Sequence, residues 1–302
     1  MSGKIAYRDR LHKKLKEQIG GRNVGFLFGA GSSFLSGKGF PLACDLWSSI
    51  KNKMDVNDQA TIESQFTPSI TTLEQALDSL DTGKTNIDEL RTRVSDAIAL
   101  AFRNYKPTLE NHRRFILRLA RRNNYRKIPL FTLNYDNLFE YAADCEHIYL
   151  IDGFGGLVEG FFDPELFSIY PCRMEVRHGR RMVPVPIRGN INLFKLHGSL
   201  GWYKDQNDEI KRIRPDMDRL NGWQHLMIPP QNRKASDTSN TPYAVLWSEY
   251  RAYLVNDSSR MLNRLVSVGY GFGDRHVNLV IESALKRHNF TLVILAKKIN
   301  DD

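Results

Sequence analysis

Four short apolar runs, at residues 24–28, 128–131, 191–196 and 264–268, each break off into a motif of small and polar residues. Runs of this length bounded by such turns predict buried strands rather than amphipathic helices. The motifs are Gly29-Ala30-Gly31-Ser32-Ser33, Thr132-Leu133-Asn134-Tyr135-Asp136, His197-Gly198-Ser199 and Gly269-Tyr270-Gly271-Phe272-Gly273-Asp274. In an open parallel sheet, ligands lie beyond the carboxyl ends of the strands, so motifs far apart in sequence can line one crevice. The pattern predicts a nucleotide site.

The remaining periodicity supports the same class. Residues 5–19 predict a helix with apolar positions 5, 11, 15 and 19, stopped by Gly20-Gly21. Residues 43–125 predict helices, among them 73–80, 87–102 and 109–123, and no second strand of a mononucleotide fold appears where one is due. Further strands are expected at 147–151 and 290–295, and helices after Asp136 and after Asp274. The expected class is therefore α/β, a Rossmann-type, doubly wound parallel sheet with an inserted helical subdomain. Residues 1–42 supply the first helix and the first part of the core, 43–125 the insertion, and 126–302 the rest of the core. Irregular or hairpin insertions are expected near 153–190 and 205–240.

Composition narrows the function classes. The 302 residues are 41% hydrophobic and 25% charged, ordinary for a soluble protein with a substantial core. No apolar run approaches the roughly 20 residues that span a bilayer, and the first residues hold no signal-peptide segment, so a cytoplasmic protein with no membrane partner is expected. Three cysteines without a C-x-x-C pair suggest neither a disulfide framework nor a thiolate zinc site, and the histidines lack metal-ligand spacing. No metal is assigned. The net charge of +9 fits nucleic acid, another polyanion or a basic surface. Arg114, Arg118, Arg121 and Arg122 fall on one face of helix 109–123, and Arg173, Arg177, Arg180 and Arg181 on a hairpin-like stretch. Neither cluster has interleaved aromatics, and solvated faces account for both. Trp202 and Tyr203 read as packing residues, and His276 as the start of a helix.

Taken singly, a glycine turn after a strand is a weak signal. Gly29 and Gly31 would let backbone approach a pyrophosphate and lead into a helix with free N–H groups, but the third glycine of the dinucleotide fingerprint is replaced by Phe34. Taken together and in order, the motifs resemble the sirtuin family over residues 23–296. Gly29-Ala30-Gly31-Ser32 is similar to that family's GAGxS signature, Gly39-Phe40-Pro41 to its Gly-x-Pro, and Thr132-x-Asn134-x-Asp136 to its Thr-x-Asn-x-Asp. His197-Gly198 resembles its catalytic His-Gly, and Gly269-x-Gly271 with Asp274 its late nucleotide contact. Two features depart from the deacylating members. No cysteine follows Cys172, where their four-cysteine zinc module would lie, and Leu42-Ala43-Cys44 replaces Asp-Phe-Arg. The segments 152–156, 195–203 and 269–276 resemble instead the sirtuin-like proteins of bacterial anti-phage systems, above all the stand-alone subunit that pairs with a HerA-type ATPase.

That resemblance implies an NAD+ hydrolase releasing nicotinamide and ADP-ribose as a defence effector, with NAD as substrate, no metal, a homo-oligomer and a HerA-type ATPase ring as partner. Asn134 would orient water, and His197 would hydrogen-bond a ribose hydroxyl or act as general base. Gly29, Ala30, Gly31, Ser32, Ser33 and Thr132 would face phosphate or ribose, and Gly269, Gly271 and Asp274 the adenosine half. Asp136 would polarise the nicotinamide amide or anchor its loop, and it is equally placed to cap the following helix. Asn134 and His197 are expected to project from strand ends into solvent-filled space. An ADP-ribosyltransferase or cyclase would use the same pocket with a different nucleophile, and a nucleotide-sensing or nucleic-acid-binding subunit of a translocase complex is the non-enzymatic alternative.

Overall fold

The computed structural model describes residues 2–21, 23–81, 87–122, 127–156, 158–177, 179, 181–187, 189–217, 221–228 and 240–296, with side chains from residue 9 onward. Along the chain the helices are α1 (Ser2–Ile19), α2 (Leu46–Ile50), α3 (Val56–Glu63), α4 (Leu73–Leu80), α5 (Ile87–Phe102), α6 (Glu110–Ala120), α7 (Leu138–Cys145), α8 (Tyr243–Arg251) and α9 (Arg275–Leu285). The strands are β1 (Val24–Phe28), β2 (Ile128–Thr132), β3 (Leu150–Ile151), β4 (Phe154–Gly155), β5 (Gly160–Phe162), β6 (Cys172–Arg177), β7 (Arg181–Pro186), β8 (Ile191–Lys195), β9 (Gly198–Lys204), β10 (Ile210–Arg212), β11 (Gln224–Met227), β12 (Arg264–Val268) and β13 (Thr291–Leu295). No helix among the described residues is long and apolar enough to cross a membrane.

Six strands form a parallel sheet in the order β13-β12-β1-β2-β8-β3, the expected Rossmann-type α/β core. Its central strands read as continuous apolar runs because both faces are covered. Val24, Phe26 and Phe28, with Ile128, Leu130, Ile191, Leu193 and Val266, pack toward α6 and α7. The alternate residues Leu27, Phe131, Phe194 and Leu265 pack toward α8 and α9. Alternation across the pleat thus divides each strand between two cores. Between β1 and β2, α2 to α5 gather a separate cluster around Ile50, Ile62, Leu77 and Ile98, seated on Leu200 and Met227. Helix α6 packs instead on the sheet through Ile116 and Leu119. Arg114, Arg118 and Arg121 face solvent there, whereas Arg122 turns inward, donating to the Ile19 carbonyl and lying over the Phe26 ring.

Four expectations need correction. Strand 147–151 shrinks to β3, because His147 adopts a left-handed φ of 53° and ends α7, its N–H donating to the Asp144 carbonyl. The glycine turn after β1 does not open an α-helix. It continues as short 3-10 turns at Ala30–Ser32 and Leu35–Gly37, and Phe40 N–H returns to the Ser33 carbonyl at 2.8 Å. Third, the chain leaving His197 enters a second, antiparallel sheet, β11-β9-β10-β5-β4, which takes up parts of both regions expected to be irregular. Trp202 and Tyr203 lie buried in it as packing residues. Finally, α8 was not anticipated. The expected hairpin is present as β6–β7; Arg180 of its arginine cluster and Asn123, the last residue of helix 109–123, fall outside the described residues.

Candidate functional site

Strand register puts the four motifs at one level. Phe28 pairs with both Thr132 and Val268, and Thr132 pairs with Lys195, so β1, β2, β8 and β12 end side by side. Their continuations therefore meet at the carboxyl edge of the sheet, where such folds place ligands.

The two glycine turns are stapled to each other. Gly29 N–H donates to the Val268 carbonyl at 3.1 Å and Gly31 N–H to the Gly269 carbonyl at 2.9 Å. A Cβ on Gly31 would stand 2.9 Å from the Gly269 Cα, and one on Gly269, at φ +61°, would stand 2.5 Å from the Ser32 nitrogen. These glycines thus permit backbone to approach backbone. Ala30, Gly31, Gly271 and Gly273 remain exposed along the rim, and a Cβ on Gly271 would meet nothing within 4 Å.

Asn134 locks onto the first turn. Its Nδ2 donates to the Gly29 carbonyl at 3.1 Å, Ser32 Oγ at 3.2 Å and Ser33 Oγ at 2.9 Å, and its backbone N–H donates to Thr132 Oγ1 at 3.1 Å. With both amide hydrogens spent on the turn, Oδ1 is the group of this side chain suited to accept from water or a hydroxyl. Ser33 and Thr132 are buried, so both support the turn rather than face outward.

His197 lies in the two-residue link between β8 and β9. Gly198 makes that link possible: at φ +84°, a Cβ there would stand 2.1 Å from the Leu226 carbonyl oxygen. His197 is buried, and its Nε2 is 2.9 Å from Asp274 Oδ2. Asp274 Oδ1 accepts from the backbone N–H groups of His276 (2.9 Å) and Val277 (3.3 Å), capping α9. A neutral imidazole that donates Nε2–H to Asp274 carries its lone pair on Nδ1, the nitrogen that then accepts a proton. The arrangement is a histidine oriented by a carboxylate fixed at a helix start, the pairing used for general-base chemistry.

Two expectations change with this geometry. Asn134 and His197 do not project freely into solvent, since one is tied to the β1 turn and the other is buried against Asp274. Asp274, expected as a nucleotide contact, has both oxygens engaged by the protein. Asp136 is buried and accepts from the Leu138 N–H at 3.1 Å, which anchors its loop one residue ahead of Asn137, the N-cap of α7. Tyr135 and Tyr270 stand inside two of the motifs, with no role assigned to them by residue type or spacing. The phenols of Tyr135 and Tyr270 are pushed well up, chiefly by burial and then by the carboxylates of Glu74 and Asp274. Tyr270 also donates to Asn278 Oδ1 at 2.8 Å and lies 3.1 Å from the Asp274 carbonyl.

A cavity of about 210 Å³ opens between Phe40, Phe102, Tyr105, Leu138, Tyr141 and Leu200. None of the expected site residues lines it, so converging polar groups, not this volume, mark the candidate site. No cluster of three or more histidine, cysteine or acidic residues suited to a metal occurs among the described residues.

Among solved structures, the chain is similar to two complexes of ADP-ribose with a Sir2 homologue carrying a single substitution. One has a TM-score of 0.48 at 15% identity, the other 0.46 at 14%, each covering 93% of this chain and 83% of the other. No curated protein sequence matches the chain. The model of the SIR2-like domain matches residues 129–299, more than half of the length and three of the four motifs, and the chain belongs to the SIR2-like domain family.

Proposed function

We propose that the protein is an NAD+ glycohydrolase that cleaves the bond between nicotinamide and ribose. The observation that carries the reading is the convergence, at one sheet edge, of an exposed glycine rim, the Asn134 amide and the His197–Asp274 pair. In the cleavage, water adds to the ribose C1′ as the C1′–N bond breaks. The electron pair leaves with nicotinamide, neutralising its ring, and the water proton passes to a base. Nicotinamide is a good leaving group because it departs from a cation, so the protein needs mainly to hold ribose, exclude bulk solvent and position water. Asn134 Oδ1 is the acceptor assigned to that water, and His197 Nδ1 the base or the acceptor of a ribose hydroxyl. Ala30, Gly31 and Gly271 would face the phosphates and adenosine.

Hydrolysis is favoured over deacylation by the cysteine pattern, since no four-thiolate module follows His197. We further propose that this activity serves an anti-phage complex in which the chain self-associates and pairs with a HerA-type ATPase ring; the likeness of segments 152–156, 195–203 and 269–276 to such proteins supports that reading. Incubation with NAD, with separation of products, tests the reading directly. Nicotinamide and ADP-ribose in equal amounts are expected, whereas transfer of ADP-ribose to protein or a cyclic product would assign the same pocket to a different nucleophile.

A further inference from the structure

Behind the candidate site lies a buried cation that the chemistry proposed above does not use. Lys195, the last residue of β8, is fully buried. Its ammonium donates to the Tyr135 carbonyl at 3.3 Å, to the Asp136 carbonyl and to Glu140 Oε1 at 2.8 Å. An ammonium has three hydrogens, and these three acceptors take them all. Two of the acceptors belong to the loop that starts at Asn134, and the third stands on α7, which the loop enters.

The surrounding bonds point the same way. The Tyr135 carbonyl also accepts from the Leu200 N–H at 3.0 Å, and Asn137 Nδ2 bridges Glu140 Oε1 (2.9 Å) and Ser199 Oγ (3.2 Å). Burial pushes the Glu140 carboxyl above the usual carboxylate range, and the Lys195 charge opposes that rise. A buried ion pair is weak as a source of stability, because desolvation offsets the attraction. It is effective as a clamp, since leaving either partner unpaired in the interior is costly. Asn134 presents its amide to the Gly29 turn from a loop whose next two carbonyls both accept from this ammonium.

We infer that Lys195, held by Glu140, is a positioning residue that fixes the 134–136 loop and so sets the reach of Asn134. The role rests on the hydrolase reading only for its kinetic consequence. Its structural consequence, order in the loop, is independent of that reading.

The test uses Lys195→Met in the full chain, with amide hydrogen exchange and NAD turnover measured together. Exchange of the amides of residues 133–138 should accelerate at least about tenfold while β1 and β12 keep their protection. The kcat should fall about 10- to 100-fold, the range expected when a catalytic group moves by roughly an ångström, with little change in KM. In an Asn134→Ala background Lys195→Met should bring little further loss of kcat, because Lys195 acts through Asn134; a general structural role would lower both backgrounds equally. Should Lys195→Met fail to fold, Lys195→Met with Glu140→Leu removes the pair as a unit, which interiors tolerate, and the same loop amides should be deprotected. Unchanged exchange at 133–138 in a folded variant overturns the inference. A parent protein that leaves NAD intact, alone and with a HerA-type ATPase partner, overturns the hydrolase reading instead, and the exchange measurement still decides the role of Lys195.

Discussion

The His197–Asp274 pair makes the sharpest prediction, through Asp274→Asn. The substitution keeps the shape, and Asn caps helices about as well as Asp, so the bonds from His276 and Val277 to Oδ1 survive. The lost charge at the start of α9 costs about 0.3 to 1 kcal/mol. At the other end of the side chain, an NH2 group replaces the oxygen 2.9 Å from His197 Nε2. It cannot accept Nε2–H and instead selects the tautomer protonated on Nδ1, which removes the proton acceptor. A correctly poised base is worth about 10² to 10⁴ in rate, or about 2.7 to 5.4 kcal/mol at 1.36 kcal/mol per tenfold. The assay is nicotinamide release under saturating NAD, alongside thermal unfolding. The expected result is a loss of kcat in that range with the melting temperature shifted by only a few degrees. Turnover within about threefold of the parent would refute the pairing as catalytic and leave Asp274 as a helix cap.

Three further outcomes follow from the geometry. Asn134→Ala removes two amide hydrogens shared among three acceptors of the β1 turn, a hydrogen bond being worth about 0.5 to 1.5 kcal/mol, so both turnover and the denaturation midpoint should fall; an unchanged midpoint would contradict the observed tether. Gly198→Ala forces a Cβ to 2.1 Å from the Leu226 carbonyl oxygen at φ +84°, a position whose backbone strain alone costs about 1 to 2 kcal/mol; a loss below about 0.5 kcal/mol in chemical denaturation would count against that geometry. The His112 imidazole is held below its usual 6.5 chiefly by burial, with the Asp136 charge acting in the opposite direction. As pH falls below 6.5 the unfolded chain takes up this proton before the folded one, so stability is lost down to the folded value and no further. His112→Phe should flatten the decline in melting temperature between about pH 7.5 and 5, and parallel curves for parent and variant would show that His112 is not responsible.

Much of the core was legible because its signals are local. The runs ending at Phe28, Thr132, Lys195 and Val268 are apolar without alternation, which is how strands covered on both faces read, and each stops at a small-residue turn. Helix α4 carries its own capping box, Thr72 with Gln75, and α5 its apolar spacing. Strand β9 was hidden: Gly198-Ser199-Leu200-Gly201-Trp202-Tyr203 is buried throughout, with two glycines and no polar alternation. Helix α8 was detectable, since Tyr243, Leu246, Trp247 and Tyr250 follow the 3.6-residue period. The motifs foretold which residues converge, but not their partners. That Asp274 would meet His197, or that Lys195 would reach back under Asn134, depends on contacts 77 and about 60 residues apart along the chain, and no local pattern records such contacts.

The central claim is that the converging motifs cleave NAD. It is tested most directly by incubating the purified protein, alone and with a HerA-type ATPase partner, with NAD and quantifying nicotinamide and ADP-ribose against a His197→Ala control. Equal release of the two products by the parent, abolished in the control while its fold is retained, is the predicted result. NAD left intact under both conditions, or products released equally by the control, would contradict it.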